Sequence, residues 1–157
     1  MRGVVIGPEC LPEVLPDTPV HVPGPLVTPR WWDIVAALGF AWAIALTAFP
    51  WSKFGEDSGR LEAWGEHWSL LAAATASAGL ITAVVAALRP FRTRLEAALY
   101  GLLALGCAAG AVLHYLNPPP LSEPSAIPLL ALIGPLVVVG VAVRKLLATL
   151  HWMGEMN

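Results

Sequence analysis

Four long apolar stretches constrain this chain more than any other feature of its sequence. The stretch at residues 68–88 contains no charged residue, and about 20 apolar residues are enough for a helix to cross the hydrocarbon core of a bilayer. Backbone exposed to lipid must satisfy its own hydrogen bonds, which favours helices. The pattern predicts an all-α integral membrane protein, a four-transmembrane-helix bundle, with spans at about residues 32–50, 68–88, 96–116 and 127–147.

The composition agrees with this class of protein. Of the 157 residues, 57% are hydrophobic and only 13% are charged, whereas soluble domains average about 25% charged residues. Subtracting four spans leaves too little chain for a separate soluble domain. We therefore expect one membrane domain at residues 31–152, preceded by a Pro-rich extended tail at residues 1–30. Nothing in the net charge of -2 indicates a nucleic-acid partner, which requires a clustered basic face.

Basic residues near the ends of the spans predict the orientation. They are Arg89, Arg92 and Arg94 after the second span, and Arg144 and Lys145 at the end of the fourth. By the positive-inside rule, both groups face the cytoplasm, so the N- and C-termini are expected there. The general composition is typical of a prokaryote, which predicts the inner or plasma membrane as the location. The three arginines of the first group are also candidates for contact with anionic lipid headgroups.

Aromatic residues crowd the connection between the first two spans. We single out Trp51, Trp64 and Trp68 as residues that contact lipid or a partner. Tryptophans enriched at both membrane interfaces are usual anchors, and this is the preferred interpretation. A docking surface, or a lid over a site between helices, is the alternative.

Ionisable residues are expected only near the ends of the spans. Asp33, Glu96, His67 and His114 all fall there, within reach of water and headgroups. A charge deep in a membrane is by default a functional-site hypothesis. Because the sequence offers no such residue, this reading argues against a proton pump or an ion-coupled transporter.

His67 and His114 form the one candidate cofactor-binding pair. One precedes the second span and the other ends the third, so both are predicted at the outer surface. Two imidazoles at similar depth can hold a haem iron from both sides, and a quinone contact is equally open. Ordinary polar residues of the interface are the preferred interpretation, so no cofactor and no metal site are expected.

Two features predict how the helices pack. Gly106 and Gly110 form a GxxxG spacing, for which packing inside the bundle is preferred over a dedicated dimer face. Gly134 and Pro135 lie inside the fourth span, where proline removes a backbone hydrogen bond and clashes with the preceding turn. A kink is expected there.

Three functional hypotheses follow. The first is a small non-catalytic accessory subunit that packs against larger membrane subunits and whose tail lies in a groove on a neighbour. An energy-converting complex is one candidate for this assembly. The second is an electron-transfer subunit that contacts haem or quinone through the histidines. The third is a homo-oligomeric transporter or channel component in which Thr75, Ser77 and Thr82 line a polar path. An enzyme acting alone is least favoured, because no nucleophile and base can be paired from the sequence.

Overall fold

The structure is a computed structural model that describes residues 30–54, 58–62, 66–89 and 93–154. Most of the described chain is helical. The helices are α1 (Trp31–Leu46), α2 (His67–Leu88), α3 (Thr93–Leu116), α4 (Ile127–Ala131) and α5 (Ile133–Gly154). The strands are β1 (Pro50–Phe54), β2 (Ser58–Glu62) and β3 (Glu123–Pro124).

The helices form a four-membered ring. α1 packs against α2, α2 against α3, α3 against α5, and α5 closes the ring by packing against α1, while α1 and α3 touch little across the diagonal. Three segments are long and apolar enough to cross a membrane, namely His67–Leu88, Thr93–Leu116 and Ile127–Leu150. The first helix is apolar but shorter, with 16 residues, or about 24 Å of rise.

Small residues allow the helices to approach closely. A Cβ placed on Gly134 would lie 2.1 Å from the carbonyl oxygen of Gly39, and one on Gly110 would lie 2.5 Å from the amide nitrogen of Ala72. A Cβ on Gly106 would meet the side chain of Thr75 on α2. Both glycines of the GxxxG spacing therefore face α2 inside the bundle, which is the internal packing that the sequence favoured.

The expected interruption of the last span lies one turn before Pro135. The chain leaves regular helical geometry at Leu132, between α4 and α5. Proline lacks the amide hydrogen that would bond to Ala131, four residues earlier, and its ring clashes with the preceding turn. The regular α-helical hydrogen bonds resume at Leu136, which donates its amide hydrogen to the carbonyl of Leu132 at 3.1 Å.

A small sheet corrects the expectation that the protein is entirely α-helical. Its order is β2-β1-β3 and both pairings are antiparallel. Ser52 lies opposite Leu61 on one side and opposite Pro124 on the other, so the two loops at this end of the bundle are joined. We call this the sheet end, and the opposite end, where α1 and α3 begin, the lysine end. The sequence missed the sheet because its strands are short and lie between apolar spans.

The glycine contacts predict a contrast between two alanine substitutions in α3. Gly110→Ala forces a Cβ against the backbone of α2, and overpacking of this kind costs about 1–3 kcal/mol. Gly101→Ala meets nothing within 4 Å, so it should be neutral or slightly stabilising because alanine favours helix. Thermal unfolding in detergent, followed by tryptophan fluorescence, measures both. Equal stability of the two variants would contradict the packing of α2 on α3.

Candidate functional site: two buried polar clusters

A buried lysine organises the lysine end of the bundle. The ammonium of Lys145 on α5 donates hydrogen bonds to Asp33 Oδ1 on α1 and to Glu96 Oε2 on α3, the latter at 2.6 Å. The hydroxyl of Tyr100 donates to the same Asp33 oxygen at 2.9 Å. Lys145 is only 1% exposed, and Asp33 and Glu96 are each 2% exposed. We call these four residues the lysine cluster.

The lysine cluster carries two carboxylates for one ammonium. Asp33 and Glu96 both lie in the first turns of their helices, where the helix dipole stabilises negative charge. Each carboxylate also accepts a hydrogen bond from Lys145. Burial of unpaired charges is costly, so the pairing and the helix N-termini together explain why the excess negative charge is accommodated.

The lysine cluster overturns two expectations from the sequence. Asp33 and Glu96 were expected within reach of water and headgroups, yet both are buried. Lys145 was interpreted as a flanking charge beside Arg144, yet only Arg144 is exposed. α5 continues to Gly154, so Lys145 lies inside a helix and not at its end. The expectation that no ionisable residue is buried is therefore wrong, and the argument against a proton pump or an ion-coupled transporter that was based on it no longer holds.

A second polar cluster lies at the sheet end around His114. Its Nε2 lies 2.9 Å from Ser52 Oγ on β1, and its Nδ1 lies 3.2 Å from Glu66 Oε2. With Glu66 ionised, Nδ1–H donates to that oxygen and Nε2 accepts from the serine hydroxyl. The Trp51 ring packs edge-on against the imidazole, with centroids 5.4 Å apart. We call Ser52, Glu66 and His114 the histidine cluster.

Glu66 connects the histidine cluster to the start of α2. It is the N-cap residue, and its side chain accepts from the amide of Trp68 at 3.3 Å. The hydroxyl of Ser69 donates to the Glu66 carbonyl at 3.1 Å. One carboxylate thus caps a helix and orients an imidazole, which ties α2, α3 and β1 together at this end.

The order serine, histidine, carboxylate is that of a nucleophile, a base and an orienting group. Acyl transfer also requires access for a substrate and donors for the developing oxyanion. Ser52 and His114 are each 0% exposed, and β1 is the central strand of its sheet, paired on both sides. The arrangement is a closed polar link between elements. Sequence reasoning did not pair these residues because Ser52 and His114 are 62 positions apart.

The predicted cofactor pair is not symmetrical in the structure. His67 is exposed at the start of α2, whereas His114 is buried and both of its ring nitrogens contact protein groups. Ligation of iron by His114 would require it to give up Ser52 or Glu66. Among the described residues, no group of three or more His, Cys, Asp or Glu side chains is arranged to hold a metal ion.

The residues predicted to contact lipid or a partner lie in different environments. Trp51 is 1% exposed and its indole donates to the carbonyl of Leu46 at 3.1 Å, so it packs inside the bundle and not on its surface. Trp68, Arg89 and Arg94 are exposed. Trp64, Arg92 and the tail at residues 1–29 lie outside the described residues.

The hydroxyls that were candidates for a polar path bond within their own helix. Thr75 donates to the carbonyl of Leu71, Ser77 to Ala73 and Thr82 to Ala78, at 2.7, 2.8 and 2.8 Å. In the described part of the chain, no buried side-chain nitrogen or oxygen lacks a hydrogen-bond partner. These internally bonded hydroxyls argue against a polar path along α2.

Comparison of the chain with protein-family models, with curated proteins and with solved structures finds no match.

The lysine cluster predicts a large loss of stability when its cation is removed. Lys145→Met leaves two buried carboxylates without their counter-ion, and breaking a buried ion pair in this way costs about 3–5 kcal/mol. Arg144→Met, next to it on the exposed side, should change stability by no more than about 0.5 kcal/mol. Denaturant titration in mixed micelles measures both variants. The triple variant D33N/E96Q/K145M should recover much of the loss, and a Lys145→Met variant as stable as Arg144→Met would contradict the buried pairing.

The histidine cluster predicts a smaller effect at the sheet end. Ser52→Ala leaves Nε2 of His114 buried without a partner, which costs about 1–3 kcal/mol. Ser77→Ala is the matched control, because its hydroxyl bonds only to a carbonyl of its own helix, and we expect a change within about 0.5 kcal/mol. The same denaturant titration applies, and equal midpoints for the two variants would count against the Ser52 contact.

Proposed function

We propose that this protein crosses a prokaryotic inner membrane four times, with both termini in the cytoplasm, as a small non-catalytic accessory subunit of a multi-subunit membrane assembly. The observation that carries the proposal is the division of its chemistry. Among the described residues, the buried charged and polar groups are paired inside the bundle, and many large apolar side chains are exposed on the outward faces of the helices. A protein of this kind offers shape and apolar contact to its neighbours in place of a reactive site.

Membrane insertion is supported by the large apolar side chains on the outside of the helices. Leucine, isoleucine, valine and tryptophan side chains are exposed along all four sides of the ring, whereas a soluble monomer rarely exposes a contiguous apolar patch larger than a few hundred Å². Trp31 and Trp32 stack at one end of α1, with ring centroids 3.5 Å apart, as suits an interfacial aromatic anchor. We include α1 as a span because it lies in the ring beside two longer helices, α2 and α5.

The partner-facing side is proposed to be the outward face of α4 and α5. Its exposed apolar residues include Leu129, Leu130, Ile133, Leu136 and Val137. Bulky side chains on this face fit a neighbouring membrane subunit, because helices in lipid associate through close packing. The Pro-rich tail at residues 1–30 is proposed from its sequence to lie along the cytoplasmic side of the same neighbour.

The alternatives have weaker support. The electron-transfer reading needs His67 and His114 to face a cofactor, and His114 is engaged on both nitrogens. The transporter reading needs the hydroxyls of α2 to line a path, and these bond within their helix. Each alternative predicts a different experimental result from that of the accessory role.

Purification from the native host in a gentle detergent, followed by mass spectrometry and a visible spectrum of the same sample, tests the proposal. We expect stoichiometric larger membrane subunits and no haem absorbance. Leu136→Trp should reduce copurification because it adds bulk to the proposed interface. Leu102→Trp is the matched control, since Leu102 on α3 is 68% exposed and Leu136 is 67% exposed. A lone colourless chain would overturn the accessory role, and a haem spectrum would favour the electron-transfer alternative.

A further inference from the structure

An apolar groove runs along the outside of the bundle between α3 and α5. Its volume is about 300 Å³, at the lower end of the range for small-molecule sites. Short side chains make its floor, namely Ala97, Ala98 and Gly101 on α3 and Ala142 on α5. From Arg94 to Leu105 it follows α3 for about 16 Å of helix rise. The groove therefore runs parallel to the helices, the direction that an acyl chain takes in a bilayer.

One end of the groove carries a positive charge. Arg94 is exposed and is the only charged side chain among the described residues that line the groove. It lies in the first turn of α3, at the lysine end, which is the predicted cytoplasmic side. A guanidinium has five N–H donors and binds phosphate oxygens in a bidentate manner. Arg94 also has a contact within the protein, and five donors allow its guanidinium to keep that contact and donate to a phosphate as well.

We propose that this groove binds an anionic phospholipid, with one acyl chain along α3 and α5 and the phosphate at Arg94. The apolar walls require no hydrogen bonds from the occupant, and the positive charge at the headgroup end favours an occupant that carries an anion. A phospholipid supplies both in one molecule. A wholly apolar partner helix would match the walls but not the positive charge of Arg94, so the lipid is the better match to the groove.

A second groove on the molecule provides an internal comparison. It lies between α1 and α2 with a volume of about 260 Å³. Among the described residues, its lining contains only apolar side chains, such as Ile34, Leu38 and Val84. Acyl chains there are expected to exchange with bulk lipid without preference for a headgroup. The contrast assigns headgroup selectivity to the α3–α5 groove.

The lipid site depends on membrane insertion but not on the accessory role. A chain that copurifies with no partner can still bind the lipid, and a chain within a complex can fail to bind it. The two proposals are therefore separately refutable.

Native mass spectrometry of the detergent-purified full chain tests the charge. The protein is titrated with phosphatidylglycerol and with phosphatidylcholine of identical acyl chains. We expect wild type to retain phosphatidylglycerol preferentially, and Arg94→Gln to lower that preference about fivefold, which corresponds to about 1 kcal/mol. Arg94→Lys should keep most of the preference. Arg89→Gln is the matched control at the same end, because Arg89 is exposed but does not line the groove.

Filling the groove tests the acyl-chain site. Gly101→Leu places a side chain in the groove, and its Cβ meets nothing within 4 Å, so the fold should persist. We expect this variant to lose retained lipid, whereas Gly140→Leu, equally open and outside the groove, should retain it. Equal retention of both lipids by wild type, a full preference in Arg94→Gln, or displacement of the lipid by inorganic phosphate alone would each overturn the proposal.

Discussion

The buried pairing of Lys145 with Asp33 and Glu96 is the constraint on which the rest of the structure depends. These three side chains belong to α5, α1 and α3, so one ammonium fixes three of the four members of the ring at the lysine end. A buried ammonium without its partners is strongly unfavourable. Any arrangement that separates these helices must therefore bring water to the cluster or leave charge unpaired, and this favours one register of the bundle over its alternatives.

The histidine cluster performs the complementary task at the sheet end. Through His114 and Glu66 it joins the last turn of α3 to the start of α2, and through Ser52 it joins both to the sheet. Between the two clusters the interior consists mainly of alanine and glycine contacts with a few larger side chains such as Phe40 and Val138. Directional polar contacts at the ends and close packing in the middle together specify the bundle.

The sequence predicted the three long apolar helices well, because long uncharged runs leave few alternatives. It missed the lysine cluster because charged residues near the ends of apolar runs were interpreted as flanking anchors. A signal was present in α5, where Val138, Val141, Lys145 and Thr149 recur at helical spacing and are all buried. If this buried stripe had been followed past Arg144, Lys145 would have been predicted to face the interior of the bundle. No comparable periodicity predicts the sheet or the contact of Ser52 with His114. Both depend on the packing of segments that are far apart in the sequence.

Solid-state NMR of the protein in lipid vesicles tests the buried pairing most directly. The chain contains only two lysines, Lys53 and Lys145, so labelling lysine with ¹⁵N gives two ammonium signals, and Lys53→Arg assigns them. With ¹³C-labelled aspartate and glutamate, the Lys145 signal should be dephased by two carboxyl carbons at hydrogen-bond distance, and more strongly than that of the exposed Lys53, which lies opposite Glu123 in the sheet. The dephasing of the Lys145 signal should disappear in D33N/E96Q, provided that the side-chain amide carbons of asparagine and glutamine are unlabelled. Two lysine signals without carboxyl coupling, both exchanging freely with water, would contradict the account.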